Sequence, residues 1–226
     1  MINLEVNRNE VLRYLGYKKG NIGESISQLI DECIEEIKKY SNYKYTYKLF
    51  EIKQLEEEIE LLNSNLILKG SDISHHLKDS TMCAVLGVTL GSLVDTKIKL
   101  YEKTNLTKAL ILDACASTAI EWVCDEASNK IKEEALNNYD LGITYRYSPG
   151  YGDFAIDIQP EIINALEAQK KIGLTVTETN ILIPRKSVTA IIGFQDKNII
   201  SIHPGCRTCN NSKWCQLKKG GNYCGN

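Results

Sequence analysis

Histidine is scarce in this 226-residue chain, with three residues, and proline is scarce too, with four. His75, His76 and His203 are too few for most metal-binding or acid–base constellations. Four prolines and 15 glycines beside 43% hydrophobic and 25% charged residues are an ordinary globular composition. That balance excludes a collagen-like fibre, a disordered chain and a disulfide mini-scaffold, and a chain of this length buries a core without staples. No sign of charge predominates: 27 Lys+Arg face 29 Asp+Glu, a net charge of −2. Without a broad basic field, nucleic acid is not an expected partner. No apolar stretch approaches the roughly 20 residues of a membrane helix. The opening, Met1-Ile-Asn-Leu-Glu-Val-Asn-Arg, has no basic start followed by an apolar run, so no secretory leader is expected and the chain is placed in the cytoplasm. There is no G-x-G-x-x-G after a strand, so neither a dinucleotide fold nor the common methyltransferase fold is signalled, and there is no P-loop and no H-E-x-x-H.

Cysteine, by contrast, is plentiful for such a compartment, with eight residues. Cys33, Cys83, Cys115 and Cys124 are scattered through apolar segments and are expected as small buried hydrophobes. Cys115 and Cys124 stand nine apart on one helix, and nine steps of about 100° put them on opposite faces, so they share no site. The other four crowd the end of the chain as Cys206-x2-Cys209-x5-Cys215-x8-Cys224.

Hydropathy patterning predicts helices and strands mixed without strict alternation, hence an α+β fold: a largely antiparallel, twisted sheet packed with helices. Ser25, with Gln28 three residues on, is expected to cap a helix whose Ile26, Leu29, Ile30, Cys33, Ile34 and Ile37 form one apolar face. Tyr43, Tyr45, Tyr47 and Leu49 alternate with polar residues, as in a half-exposed strand. Glu56 to Leu62 and Asn65 to Leu68 suit two more strands, and Ser71 or Asp72 is expected to cap a short helix with His75 and His76 on its solvated face. The apolar run Thr81 to Leu90 fits a strand covered on both sides, with Gly87 and Gly91 as strand-end glycines. A long helix is predicted from Asn105 or Thr107 to about Leu136, and a short strand over 143–147. One helix is expected from Ile158 or Gln159 to Lys171, with Pro160 in its first turn. Two β-rich runs, Leu174 to Ile183 and Ser187 to Phe194, follow.

The most informative segment is Gly142-Ile-Thr-Tyr-Arg-Tyr-Ser-Pro-Gly-Tyr-Gly-Asp153. Ser148-Pro-Gly-Tyr151 is a type II turn pattern, since proline presets φ at the second position and glycine accepts φ > 0 at the third. Arg146 just before it is suited to a bidentate grip on a carboxylate, and Tyr147 and Tyr151 supply rings and hydroxyls. On its residues alone the segment is either a cradle for a small anion or amino acid, or a plain structural turn.

Arg146-Tyr-Ser-Pro-Gly-Tyr151 resembles the Arg-x-x-x-Gly-Tyr motif of the S-adenosylmethionine-binding activation domain of cobalamin-dependent methionine synthase. Downstream, Gly173-Leu-Thr-Val-Thr-Glu-Thr179 and Pro184-x-x-Ser187-Val188-Thr189, running to Gly193-Phe194, are similar to that family's Gly-x-x-x-Thr-Glu-Ser and Pro-x-x-Ser-Val-Ser segments at the same spacing. Glu121-Trp122-Val123 falls where the family has its core helix. The resemblance covers residues 70 to 200, and the first 70 by general pattern. It implies that Arg146 holds the methionyl carboxylate of S-adenosylmethionine, with Ser148, Gly150, Tyr151 and Glu121 completing the binding site. Two positions depart from the pattern: Ser117 aligns with the family's binding-site glutamate, and Asn198-Ile199-Ile200 replaces a tyrosine pair.

The resemblance further implies a part in corrinoid repair, the reductive methylation that returns an oxidised cobalamin to service, which is a task of positioning with no side chain acting as nucleophile or base. The corrinoid-binding Asp-x-His-x-x-Gly signature is absent, so cobalamin is expected on a partner, a methionine synthase or another corrinoid methyltransferase. A flavodoxin- or ferredoxin-type donor would supply the electron, and the chain is expected as a free-standing activation module. Residues 1–202 are expected to form the activation-like domain, with an N-terminal α/β part at 1–70 and a core at 71–202. Residues 203–226 form a tail whose Cys206, Cys209, Cys215 and Cys224 match the ligand count of structural zinc or an iron–sulfur cluster, with redox-active thiols and no joint role as the other readings. The competing reading of the whole is a non-catalytic docking or electron-transfer adapter built on that tail.

Overall fold

Asn7 opens the first helix, its side chain accepting a hydrogen bond from the Asn9 amide ahead of α1 (Arg8–Tyr14). The computed structural model describes residues 4–17, 22–56 and 58–199; the cysteine-rich segment with Cys206, Cys209, Cys215 and Cys224 lies outside them. The next helix, α2 (Glu24–Tyr40), buries Ile30, Cys33, Ile34 and Ile37 on the anticipated face. Its start differs from expectation: Gly23 is the N-cap and no side chain caps the helix. Strands β1 (Lys44–Gln54), β2 (Glu58–Leu61) and β3 (Ile67–Lys69) make an antiparallel meander with Lys53 opposite Glu60 and Ile59 opposite Leu68. The short α3 (Ser71–His76) is capped neither by Ser71 nor by Asp72; Gly70 is its N-cap, and the accepting oxygens come from Asp153.

The apolar run becomes β4 (Ser80–Thr89), with Cys83, Val85, Leu86 and Val88 inaccessible to solvent. Two helices follow, α4 (Ser92–Thr104) and the 34-residue α5 (Leu106–Tyr139), and between them Asn105 accepts the Lys108 amide. After β5 (Leu141–Ile143), the expected single helix is two, α6 (Gln159–Leu166) and α7 (Ala168–Ile172), parted at Glu167, which adopts a left-handed conformation with φ 52°. The β-rich run after it is a small hairpin, β6 (Thr175–Val176) with β7 (Leu182–Ile183), followed by the ten-residue β8 (Ser187–Asp196).

Six strands form one sheet in the order β3-β2-β1-β4-β8-β5. The Asn42 amide donates to the Leu90 carbonyl, and the Leu90 amide donates to the Lys186 carbonyl. These bonds set the starts of β1 and β8 beside the end of β4, so the neighbours run antiparallel, as β5 and β8 also do. The architecture is the expected α+β one. Among the described residues no helix is long and apolar enough to cross a membrane.

Contacts divide the chain into two compact units. The first takes the residues up to Lys48, Val85–Lys130 and Gln159–Thr189. In its core, Gly87 is not a strand end: it lies inside β4, where a Cβ would stand 3.1 Å from the Leu166 Cδ1 of α6, so the missing side chain lets helix and strand close up. The second takes Leu49–Ala84, Ile131–Ile158 and the described residues from Ala190 on, around Ile59, Leu61, Leu68, Ile73, Leu77 and Phe194. Here the Gln54 amide ties down the Leu77 and Ser80 carbonyls at 2.9 and 3.2 Å. Cys33, Cys83, Cys115 and Cys124 are buried, as expected, and in no disulfide, and burial pushes the thiols of the first three up to about 12, which keeps them protonated and inert.

Candidate functional site

The loop that carries Arg146 begins as a regular strand and leaves it by a bulge. Along β5, Leu141 stands opposite Asp196 and Ile143 opposite Phe194. The Thr144 amide still donates to the Gly193 carbonyl at 2.9 Å, yet the next pairing is Tyr147 with Ile191, through bonds of 3.0 and 2.8 Å. Three residue steps on this side therefore match two on β8, an extra residue at 145–146. Such bulges bend a strand and re-aim a side chain, and the side chain here is the half-buried Arg146.

Packing under the loop is aromatic. Tyr147 stacks on His76 with ring centroids 5.1 Å apart and on Phe154 at 6.2 Å, while Tyr145 meets His76 edge-on at 4.5 Å. His76, expected on a solvated face, is 8% exposed, and its Nε2 lies 3.0 Å from the Thr144 hydroxyl, which also accepts the Gly193 amide at 2.8 Å. The correction has a simple cause: the helix face that carries His76 is covered by residues about 70 positions later in the chain. Burial first, and then the charge of Asp72, push the Tyr147 phenol up to about 12, so it stays neutral and donates to the Tyr151 carbonyl at 3.3 Å.

Ser148-Pro-Gly-Tyr151 is the turn its sequence dictates. The Tyr151 amide donates to the Ser148 carbonyl at 3.3 Å, and Gly150 takes φ +94°, the left-handed value that a type II turn needs at its third residue. Beyond the turn, the Gly150 amide donates to the Phe154 carbonyl at 2.7 Å and the Phe154 amide returns to the Tyr151 carbonyl at 3.0 Å. Pro149 and Phe154 are buried beneath, while Gly150 and Tyr151 are exposed, Tyr151 to 67%. The result is a rigid, open platform with a guanidinium at one end and a phenol at the other.

Of the residues expected in the site, Arg146, Ser148, Gly150 and Tyr151 all belong to this loop. Glu121 lies exposed on α5, in the first compact unit, where burial first and then the Glu121 charge raise the Tyr14 phenol. Ser117, one turn earlier, has its hydroxyl engaged: the Lys186 ammonium donates to it at 2.9 Å and pairs with Asp113 at 2.9 Å. Lys186 fills an unspecified position of the Pro184-x-x-Ser187 pattern, so nothing in the sequence drew attention to it. It also lines a cavity of about 230 Å³ with Asp95, Ile98, Lys99, Glu102 and Arg185. Sequence reasoning missed the pairing of Asp72 with Asp153 as well, because 81 residues separate them. Among the described residues, no group of three or more His, Cys, Asp and Glu is disposed to hold a metal ion.

No protein-family model matches the sequence, and no curated protein matches it. Among solved structures, the chain is similar to the crystal structure of the MetH reactivation domain bound to AdoHcy, with a TM-score of 0.65 over 87% of this chain and 76% of that one, at 14% sequence identity. At that identity the fold is what the two share, and it is the fold implied by the motif resemblance.

Proposed function

We propose that this chain is an S-adenosylmethionine-binding module that supports reductive methylation of the cobalamin on a partner methionine synthase or related corrinoid methyltransferase. The observation that carries the reading is the Arg146–Tyr151 loop itself: a bulged strand running into a type II turn over an aromatic floor, in a chain with the fold of a domain solved with AdoHcy. Arg146 grips the methionyl carboxylate through its planar fork, a geometry that lysine cannot match. Gly150 lets the ligand approach the backbone, and the Ser148 hydroxyl and the Tyr151 ring flank the amino-acid end and the sulfonium.

The partner's cobalamin is the methyl acceptor: with one electron from a flavodoxin- or ferredoxin-type donor, the inactive cobalt centre takes the sulfonium methyl, and S-adenosylhomocysteine is left. This chain's residues bind and orient the sulfonium and exclude water, which is where such a reaction gains its rate. The test is a turnover assay on a methionine synthase deprived of its own activation domain and inactivated by oxidation. Supplied with electron donor and S-adenosylmethionine, the enzyme should recover activity when this chain is added. Recovery no faster than without the chain would defeat the proposal.

Cys206, Cys209, Cys215 and Cys224 carry a second part of the reading. Four thiols within a short, glycine-rich stretch provide a full ligand set for an iron–sulfur cluster, which would relay the electron, or for a structural zinc. Protein purified without oxygen should be brown and contain iron and acid-labile sulfide; colourless protein with about one zinc per chain would select the structural alternative. Metal-free protein of normal reactivation activity would exclude both.

A further inference from the structure

Beyond the loop's own residues, two carboxylates from distant parts of the chain hold each other's backbone. Asp153, just after the turn, accepts the Ser71 amide and the Ser71 hydroxyl through Oδ2, both at 2.7 Å, and the Asp72 amide through Oδ1 at 3.0 Å. Asp72 answers from α3, its Oδ2 accepting the Asp153 amide at 3.2 Å. A capping box normally makes this reciprocal pattern within four consecutive residues; here it is closed across 81. The bonds from Ser71 and Asp72 hold the Asp153 carboxyl below the usual carboxylate range, so it is charged at neutral pH.

The neighbouring glycines leave the room this pairing requires. Gly152 has φ +56°, and a Cβ there would overlap the Asp72 carboxylate and stand 2.7 Å from the Tyr147 hydroxyl. A Cβ on Gly70 would stand 2.7 Å from the Asp153 carboxylate. α3 is itself anchored by the buried Ile73 and His76. The loop is thus fixed at both ends: by the bulge and the Tyr147–Ile191 pairing before the turn, and by a carboxylate clasp to an anchored helix after it.

We infer that Asp153, with Asp72 as its counterpart, is a positioning residue for the ligand loop: it touches no ligand, but it sets the path of the backbone from Gly150 to Phe154 and with it the placement of Gly150 and Tyr151. This rests on the reading of that loop as the S-adenosylmethionine cradle. Without the clasp, the segment after the turn keeps the packing of Phe154 and the Tyr147–Tyr151 bond but loses its tie to α3, and closing it on a ligand carries the ordering cost that the clasp otherwise prepays.

The test compares S-adenosylhomocysteine affinity of the full chain for wild type, Asp153→Ala and Asp153→Asn, with amide hydrogen exchange on the unliganded proteins. Asp153→Ala should bind about tenfold more weakly, as loss of a helix cap predicts, and should speed exchange at the Ser71, Asp72 and Asp153 amides. Asp153→Asn should recover part of the affinity, because its one amide oxygen keeps the bonds from Ser71 and gives up only the bond from the Asp72 amide. Failure of that rescue, or an Asp153→Ala variant with wild-type affinity and exchange, would overturn the positioning role while leaving the cradle intact. Wild type that binds no ligand would instead bring down the cradle reading and this role with it. Should Asp153→Ala not fold, Asp72→Ala, which removes the bond to the Asp153 amide and leaves the bonds that Asp153 accepts, serves in its place: it should weaken binding less than tenfold but measurably, and unchanged affinity would count against the clasp.

Discussion

Replacing Arg146 by alanine should weaken S-adenosylmethionine binding by roughly 10- to 150-fold, the equivalent of the 1.5–3 kcal/mol that a hydrogen bond to a charged group contributes. The carboxylate of the ligand would lose its only cationic fork in the loop, and lysine at the same position should restore only part of the affinity, since a point charge makes no bidentate pair. Arg146 is half-buried and sits in a bulge rather than filling the core. The melting temperature of the variant without ligand should therefore stay close to wild type, and the ligand-induced rise in melting temperature should shrink. An undiminished rise would remove Arg146 from the site.

Phe154→Ala should show the opposite balance, with its largest effect on stability. The ring is 1% exposed and stacks on Tyr147, which in turn stacks on His76. Truncating a buried phenylalanine costs about 3–5 kcal/mol through lost transfer energy and the cavity left behind. Denaturant unfolding should show a loss in that range. The turn should lose definition too, because the Phe154 backbone bonds to Gly150 and Tyr151 depend on the ring being seated. A loss under about 1 kcal/mol would mean that the floor of the loop is not a packed core.

How much of this was legible in the sequence depends on the distance over which each feature is decided. The turn was legible because proline and glycine fix its dihedral angles locally, and Gly150 takes the positive φ that the pattern demands. β4 and the long α5 were legible because an unbroken apolar run and a sustained helical rhythm are local patterns. The bulge at 145–146 was not, since it exists only in register with Ile191 and Gly193. His76 reads as solvated because its own helix is short and polar; what covers it is Tyr145, Tyr147 and Thr144. The break at Glu167 has no glycine or proline to announce it, as a non-glycine residue there takes the left-handed conformation. The Asp72–Asp153 clasp joins residues that no local window contains. The motif resemblance reached further than periodicity did, because it carried spacing between distant segments, and the shared fold at 14% identity agrees with it.

The central claim is that the Arg146–Tyr151 loop binds S-adenosylmethionine and its demethylated product. Calorimetric titration of the purified chain with S-adenosylhomocysteine tests it most directly, since that ligand is stable and needs neither cobalamin nor electron donor. One site per chain with saturable heat, weakened in Arg146→Ala, is the expected result; no binding by wild type, or identical binding by the two proteins, would contradict it.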